Sequence, residues 1–243
     1  MCQRVNILIV NDDSIHAPGI AMLANAASRI GDVYVVAPSE QCSAMSQKLT
    51  LRETIRVRKV PDFPVPVKGA WEVGGTPVDC VKVALYHLLQ IKPDIVLSGI
   101  NNGYNVGFDV AYSGTLGAAF EAARNFIPAI AFSAPGDAYL QVVEPWLMPV
   151  LEELMGKKLA EGEVWNVNFP TMEQNPFPGI LRDRIPACSS LYTEQYLQTL
   201  QPDGSVMLTC KGIPVSDEKL APGTDGDAVR KGYISIGKVR AFY

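Results

Sequence analysis

A doubly wound α/β fold built on a mainly parallel sheet is what this sequence predicts, and three observations predict it. Four short runs rich in β-branched residues, 5–10, 33–37, 95–98 and 129–132, are bounded by turn or breaker residues. Runs of this kind belong to strands buried on both faces. Helix-length amphipathic stretches separate them, so strand and helix alternate and right-handed βαβ crossovers follow. With 48% hydrophobic residues, a mean hydropathy of +0.11 and 243 residues, the chain holds enough apolar mass for a large core, which excludes disorder.

The first run, 5–10, leads into Asn11-Asp12-Asp13-Ser14, after which Pro18 opens an Ala-, Leu- and Ile-rich helix to residue 30. The second, 33–37, is followed by a hydroxyl-rich loop, 38–46. Gly74-Gly75-Thr76-Pro77 then precedes a helix over 77–89, with Val78, Val81, Leu85, Leu88 and Leu89 at helical spacing. Thr76 suits the N-cap, Pro77 the first helical position where its missing N–H costs nothing, and Asp79 the reciprocal arm of a capping box. On spacing alone this segment is a turn and a cap. The third run gives way to a loop from Ser98 to Gly107, dense in Gly and Asn, and Tyr112-Ser113-Gly114-Thr115 opens a small-residue helix over 115–124. The fourth run precedes a helix over 140–155.

From Lys157 the character changes. Residues 165–169 make one more strand; beyond Pro170 come clustered Pro and Gly with short alternating segments at 205–209 and 233–236. These predict hairpins and long arms packed on the sheet or on another subunit. The expected organisation is one continuous domain, with a Rossmann-like core over 1–156 and a final core strand plus carboxyl-terminal hairpin and oligomerisation arms over 157–243.

Charge and composition narrow the function. Lys and Arg number 21 against 25 Asp and Glu, a net charge of −4 with no basic tract, which argues against a nucleic-acid polymer as partner. No apolar run approaches the ~18 residues that cross a bilayer, so no membrane partner is expected. The five cysteines, Cys2, Cys42, Cys80, Cys188 and Cys210, are odd in number and form no Cys-x-x-Cys pair. They read as reduced thiols of a cytoplasmic protein. With only His16 and His87, a histidine-built zinc site is excluded and any metal is held mostly by oxygen.

In open α/β sheets ligands bind beyond the carboxyl ends of the strands, where Asp12 and Asp13 stand. A single Asp there could be a helix cap; two in tandem repel unless a cation neutralises them. They supply hard oxygen ligands for Mg2+, Mn2+ or Ca2+, and the loops 38–46 and 98–107 offer further Ser and Asn oxygens. The helix start at Ser113-Gly114-Thr115 suits a phosphate, with hydroxyls and N–H groups at its positive end. Together these converge on a metal-dependent reaction at an anionic group, most simply phosphomonoester hydrolysis.

The motifs that carry this chemistry resemble those of the survival protein E (SurE) family of divalent-metal-dependent 5′/3′-nucleotidases. Ile7-Leu8-Ile9-Val10-Asn11-Asp12-Asp13 with His16-Ala17-Pro18-Gly19-Ile20 resembles the family's opening. Val35-Val36-Ala37-Pro38 leading to Ser43, Gly74-Gly75-Thr76-Pro77-Val78-Asp79-Cys80, and Ser98-Gly99-Ile100-Asn101 leading to Tyr112-Ser113-Gly114-Thr115 follow in family order. Trp165-Asn166-Val167-Asn168-Phe169-Pro170 and the stretch from Gly223-Thr224-Asp225 to Gly232-Tyr233-Ile234-Ser235-Ile236 resemble later landmarks.

The resemblance implies a SurE-like three-layer α/β/α fold, Rossmann-like with a carboxyl-terminal hairpin, assembled as a homodimer or homotetramer. It implies Asp12, Asp13, Ser43 and Asn101 as ligands of one Mg2+ or Mn2+, with Asp12 and Asp13 catalytic. It places Asn11, Asn105, Ser113, Gly114 and Thr115 around the phosphate, and Gly75 and Thr76 near the nucleotide. The implied reaction is hydrolysis of nucleoside 5′- and 3′-monophosphates to nucleoside and phosphate by a metal-activated water. Three positions depart from the family: Ser14 and Ala44 stand where Gly is common, and Cys42 where Arg is common. A Ser at a position needing positive φ is strained, and loss of the Arg removes an anion contact or an ion pair. Ser14 and Cys42 keep in play a non-catalytic nucleotide- or metal-binding protein; a broader acid phosphatase is a further alternative, and an aspartyl-phosphate enzyme shares the placement of Asp after a strand. The last wants Asp-x-Asp spacing, whereas Asp12 and Asp13 are adjacent.

Overall fold

The computed structural model describes residues 4–171, 176–216 and 220–241; Cys2 lies outside them. Its strands are β1 (Val5–Val10), β2 (Gly31–Pro38), β3 (Val57–Lys59), β4 (Gly69–Val73), β5 (Ile95–Asn102), β6 (Ala129–Ala134), β7 (Glu163–Asn168), β8 (Ile180–Arg184), β9 (Tyr192–Leu200), β10 (Val206–Pro214) and β11 (Ile234–Arg240). One sheet has the order β3-β4-β2-β1-β5-β6-β7-β11-β8. From β4 to β7 all neighbours are parallel; β3 is antiparallel to β4 and β11 to β7. The chain winds outward from β1 through β2 to β4, then returns to set β5 on the other side of β1. That reversal opens a crevice at the carboxyl ends of β1 and β5.

Alternation along β1 explains the layers. Ile7 and Ile9 face the core shared with α1 (Pro18–Ala27), while Leu8 and Val10 face that shared with α2 (Pro77–Val83) and α3 (Gly114–Arg124). The last core helix, α4 (Glu144–Met155), packs on the α1 side. Burying β1 on both faces is what an apolar run predicts, and the architecture is the α/β fold expected. A short α5 (Asp225–Arg230) precedes β11.

Four differences from the expected elements bear on the central sheet and its helices, and β8 and α5 are further additions. First, β5 does not stop at Ser98. Its ladder with β6 holds Ser98 opposite Ala131, shifts register, and resumes with Asn101 opposite Ser133. Gly99 makes the shift possible, because at φ +131° a Cβ would stand 2.3 Å from the carbonyl oxygen of Phe132. Second, α2 closes at Val83 and the next turn is wider, with Leu89 N donating to Ala84 O. Third, a wide turn over Tyr139–Val143 precedes α4, where Pro145 offers no N–H to the carbonyl four residues back. Fourth, β3 and β4 are new: they are short, mixed in polarity and lack an apolar run.

The hairpin β9–β10 forms a separate two-stranded sheet in which every residue is exposed. Cys42 and Cys80 are buried, Cys188 and Cys210 exposed, and none of these four is bridged. Among the described residues no helix is long and apolar enough to cross a membrane.

Candidate active site

Residues 11–14 leave β1 at the crevice. Asn11 is wholly buried; its Nδ2 donates to Ser14 O at 2.7 Å, and its Oδ1 meets no hydrogen-bond partner among the described residues. Ser14 takes φ 88°, the strained backbone that a Gly would adopt without cost. Ala44, in the neighbouring loop, takes φ 57°.

Asp12 is 4% exposed and accepts a 2.6 Å hydrogen bond from Thr115 Oγ1. Burial pushes its carboxyl up to about 6, against the Thr115 hydrogen bond, and the Asp13 charge pushes the same way. Asp13 is partly buried; its Oδ2 accepts from Asn102 N at 2.7 Å and its Oδ1 from Gln41 Nε2 at 3.5 Å. Burial raises this carboxyl too. Gln41 Nε2 also donates to Ser43 Oγ at 3.0 Å, so one amide joins Ser43 to Asp13. Asn101 Nδ2 donates to Gly103 O at 2.9 Å, which leaves its Oδ1 as the acceptor end.

The N-terminus of α3 closes the crevice. Ser113 is the N-cap, its Oγ accepting from Leu116 N at 3.1 Å. At Gly114 a Cβ would stand 3.0 Å from Asp12 Cβ and 3.3 Å from Cys42 O, so only Gly lets the first turn approach this closely without displacing its neighbours. The predicted capping box of α2 is present: Thr76 N donates to Asp79 Oδ2 at 2.9 Å and Asp79 N to Thr76 Oγ1 at 3.2 Å. The Thr76 hydroxyl lies 2.6 Å from Lys48 O, its hydrogen-bond acceptor. Gly75 O accepts from Cys42 Sγ, and Cys42 N donates to Asp12 O, so the start of α2 is tied to the Asp pair through this loop.

The structure thus brings Asn11, Asp12, Asp13, Ser43, Ser113, Gly114 and Thr115 to one crevice, with Asn101 on the adjoining strand end and Gly75 and Thr76 one loop away. Asn105 is placed differently. It is buried, its Nδ2 donates to Ser133 Oγ at 2.8 Å, its N donates to Asn168 Oδ1 at 2.8 Å, and its carbonyl accepts from Asn166 and Asn168. Its side chain secures the loop from behind.

Sequence reasoning assigned no role to Gln41, Asn102 or Asp225. Asp225 accepts from Gly107, Ala187 and Gly226 N–H groups, pinning the far end of the same loop to the carboxyl-terminal third. A motif places such residues in order; it does not show that a backbone N–H will meet a carboxylate 89 residues away.

A divalent cation fits this cluster. Two adjacent carboxylates, one nearly fully buried, meet an unpartnered buried amide oxygen, and the remaining candidates are hydroxyl and amide oxygens, a hard donor set. Among the described residues no three His, Cys, Asp or Glu side chains gather as a metal site, so the neutral oxygens of Ser43 and Asn101 would have to complete it.

The family model "Survival protein SurE" matches residues 7–188. The 5′-nucleotidase SurE of Flavobacterium psychrophilum is 36% identical over 237 residues, covering 96% of this chain and 91% of that one. A 5′/3′-nucleotidase SurE of Escherichia coli O1:K1 is 36% identical over 233 residues, covering 96% and 88%. The crystal structure of the SurE protein from Aquifex aeolicus superposes with a TM-score of 0.81 at 32% identity, covering 98% of this chain and 94% of that one.

Proposed function

The chain belongs to the SurE family and is a 5′-nucleotidase that hydrolyses nucleoside monophosphates, and we propose that it does so at the cluster around Asp12 and Asp13 with one Mg2+ or Mn2+ as cofactor. The observation that carries this reading is the meeting of two adjacent carboxylates with the N-terminus of α3, sealed by the 2.6 Å contact from Thr115 to Asp12. Asp12, Asp13, Ser43 and Asn101 would hold the cation. When bound, it supplies Lewis-acid polarisation of a phosphoryl oxygen and lowers the pKa of water.

The chain's own residues position the reaction. Thr115 and Asn102 fix the orientation of the two carboxylates. The first-turn N–H groups of Gly114 and Thr115, which intrahelical carbonyls do not reach, seat phosphate oxygens; Ser113 holds that turn capped. Asn11 lines the phosphate end, Gly75 and Thr76 border the nucleotide's approach, and Asn105 fixes the loop beneath it. Positive helix end and cation together reverse the local sign set by two carboxylates in a chain of net charge −4.

The division into a 1–156 core and a 157–243 extension completes the proposal, with assembly as a homodimer or homotetramer, residence in the cytoplasm, and no nucleic-acid polymer or membrane as partner. The wholly exposed hairpin supports assembly.

Phosphate release measured across Mg2+, Mn2+ and Co2+ against 5′- and 3′-nucleotides tests the function. Chelator abolishes release, and Asp12→Asn lowers it by about a hundredfold to a thousandfold, the scale of losing one principal electrostatic group. Activity persisting in chelator, or in Asp12→Asn, sinks the reading.

A further inference from the structure

We propose that the cleft between Tyr104 and Tyr192 is the nucleobase seat, so that the carboxyl-terminal third selects the substrate on which the first half acts. The proposal rests on the nucleotidase reading, which puts the phosphate at Asp12 and Asp13. The cleft encloses about 350 Å³, and its walls include Tyr104, Asp137, Thr171, Leu191, Tyr192 and Arg230, whose guanidinium donates to Val215 O. That volume lies in the range of roughly 300–1,000 Å³ typical of small-molecule sites.

Position favours this cleft. Asn102 N donates to Asp13 at 2.7 Å and Asn102 Oδ1 accepts from Gly136 N at 2.9 Å, so a single residue touches the carboxylate and sets the turn that carries Asp137. Tyr104 follows Asn102 by two residues, at most roughly 7 Å of chain, a span of the order that separates phosphate from base in a nucleotide.

Chemistry favours it too. Tyr104 is held, its hydroxyl accepting from Thr171 N at 3.0 Å. Tyr192 is 52% exposed at the first residue of β9, an aromatic face at the mouth of the cleft, while Leu191 behind it is buried. Two rings suit a flat base, whose stacking on an aromatic side chain is worth about 1–3 kcal/mol. Asp137 can accept from an exocyclic amino group of a base.

The other large cavities lack this combination. A 570 Å³ hollow lined by Phe108, Tyr112 and Phe120 has rings but no carboxylate to read a base edge. A 490 Å³ cleft lined by Phe126, Leu154 and Trp165 lies at the amino ends of β5, β6 and β7, across the sheet from Asp12. A 540 Å³ hollow has the rings of His16 and Phe63, and its Arg58 is already in a bidentate pair with its one glutamate, Glu72.

Initial-rate kinetics on AMP, UMP and ribose 5-phosphate test the seat in the full-length protein and in Tyr192→Ala, Tyr192→Phe and Asp137→Asn. Tyr192→Ala should raise the ratio of KM for AMP to KM for ribose 5-phosphate about tenfold, the kinetic equivalent of one stacking contact. Tyr192→Phe should restore the ratio, and Asp137→Asn should narrow the preference for AMP over UMP. An unmoved ratio in Tyr192→Ala overturns the proposal. Adenosine, which has no phosphate, separates the two readings by saturation-transfer NMR. Binding that disappears in Tyr192→Ala upholds the seat even where no nucleotide is hydrolysed by any metal form, a result that sinks the nucleotidase reading alone. Adenosine binding that is absent, or equal in both proteins, overturns the seat.

Discussion

The crevice at β1 and β5 and the hairpin β9–β10 break the rule of apolar inside and polar outside in opposite directions. In the crevice Asn11, Asp12, Asn105, Ser113, Thr115, Asn166 and Asn168 are buried. On the hairpin Tyr196, Leu197, Leu200, Met207 and Leu208 are each more than half exposed. Buried polar groups and exposed apolar patches are the departures that carry information. The crevice satisfies most of its polar groups internally, which costs stability and fixes geometry. The hairpin pairs its own backbone, but its apolar residues find no cover among the described residues.

Breaking the crevice network from behind should give the larger loss. Asn168 accepts from Asn105 N and donates to Asn105 O and Asn166 Oδ1. Asn168→Ala strands the buried Asn105 N–H, takes a donor from the buried Asn166 Oδ1 and leaves the Asn105 carbonyl with one donor fewer; at about 1–3 kcal/mol for each unsatisfied group, a loss of roughly 3 kcal/mol is expected. Urea unfolding measures it, and kcat/KM for AMP should fall in parallel because the same loop carries Asn101 and Asn102. A variant with wild-type stability would show that this network is ornamental.

Breaking the hairpin should leave the fold and change the mass. Cross-strand pairing puts Tyr196, Leu200, Val206, Leu208 and Cys210 on one face. Two charges there, Leu200→Asp with Leu208→Asp, should lower the mass found by light scattering to that of one chain, with little change in the unfolding midpoint of the monomer. A destabilised chain of unchanged mass would mean that the hairpin packs on its own core.

How much was legible in advance follows the same division. Apolar runs and helical spacing were enough for the central strands, because burial on both faces leaves a one-letter signature. The capping box at Thr76 and Asp79 was legible because both partners lie within one turn. Contacts of long sequence separation were not: Gln41 joining Asp13 to Ser43, Asn102 N on Asp13, and Asp225 on Gly107 depend on how distant loops meet. The extension of β5 to Asn102 was hidden for a different reason, since Gly and Asn read as loop until a bulge returns them to the ladder.

Strain can be separated from chemistry within the crevice. Ser14 at φ 88° lies beyond the left-handed basin, whereas Ala44 at φ 57° sits inside it. Ser14→Gly removes the strain and also the weak 3.3 Å contact from His16 N to Ser14 Oγ. The net gain should be about 1 kcal/mol, or roughly 2–4 °C in Tm for a chain of this length. Ala44→Gly should gain less. Calorimetry ranks the two, and equal shifts would show that the backbone angle does not set the cost.

The smallest effect belongs to neither region but to the contact between α4 and β8. Glu153 on α4 takes a bidentate pair from Arg182 on β8, at 2.7 and 2.6 Å, and a 2.6 Å contact from Lys157. These hold its carboxyl down at about 2, below the ordinary 4.5. A depressed acid stabilises the fold fully above its unfolded value, and that contribution fades as pH falls from about 4.5 through about 2. Because both cations are solvent-exposed, the pair is worth no more than about 1 kcal/mol. Glu153→Gln should therefore lower the Tm slightly at pH 7 and match the wild type near pH 2. A gap that persists at pH 2 would assign the loss to packing between α4 and β8, and would move that junction from electrostatics into the core.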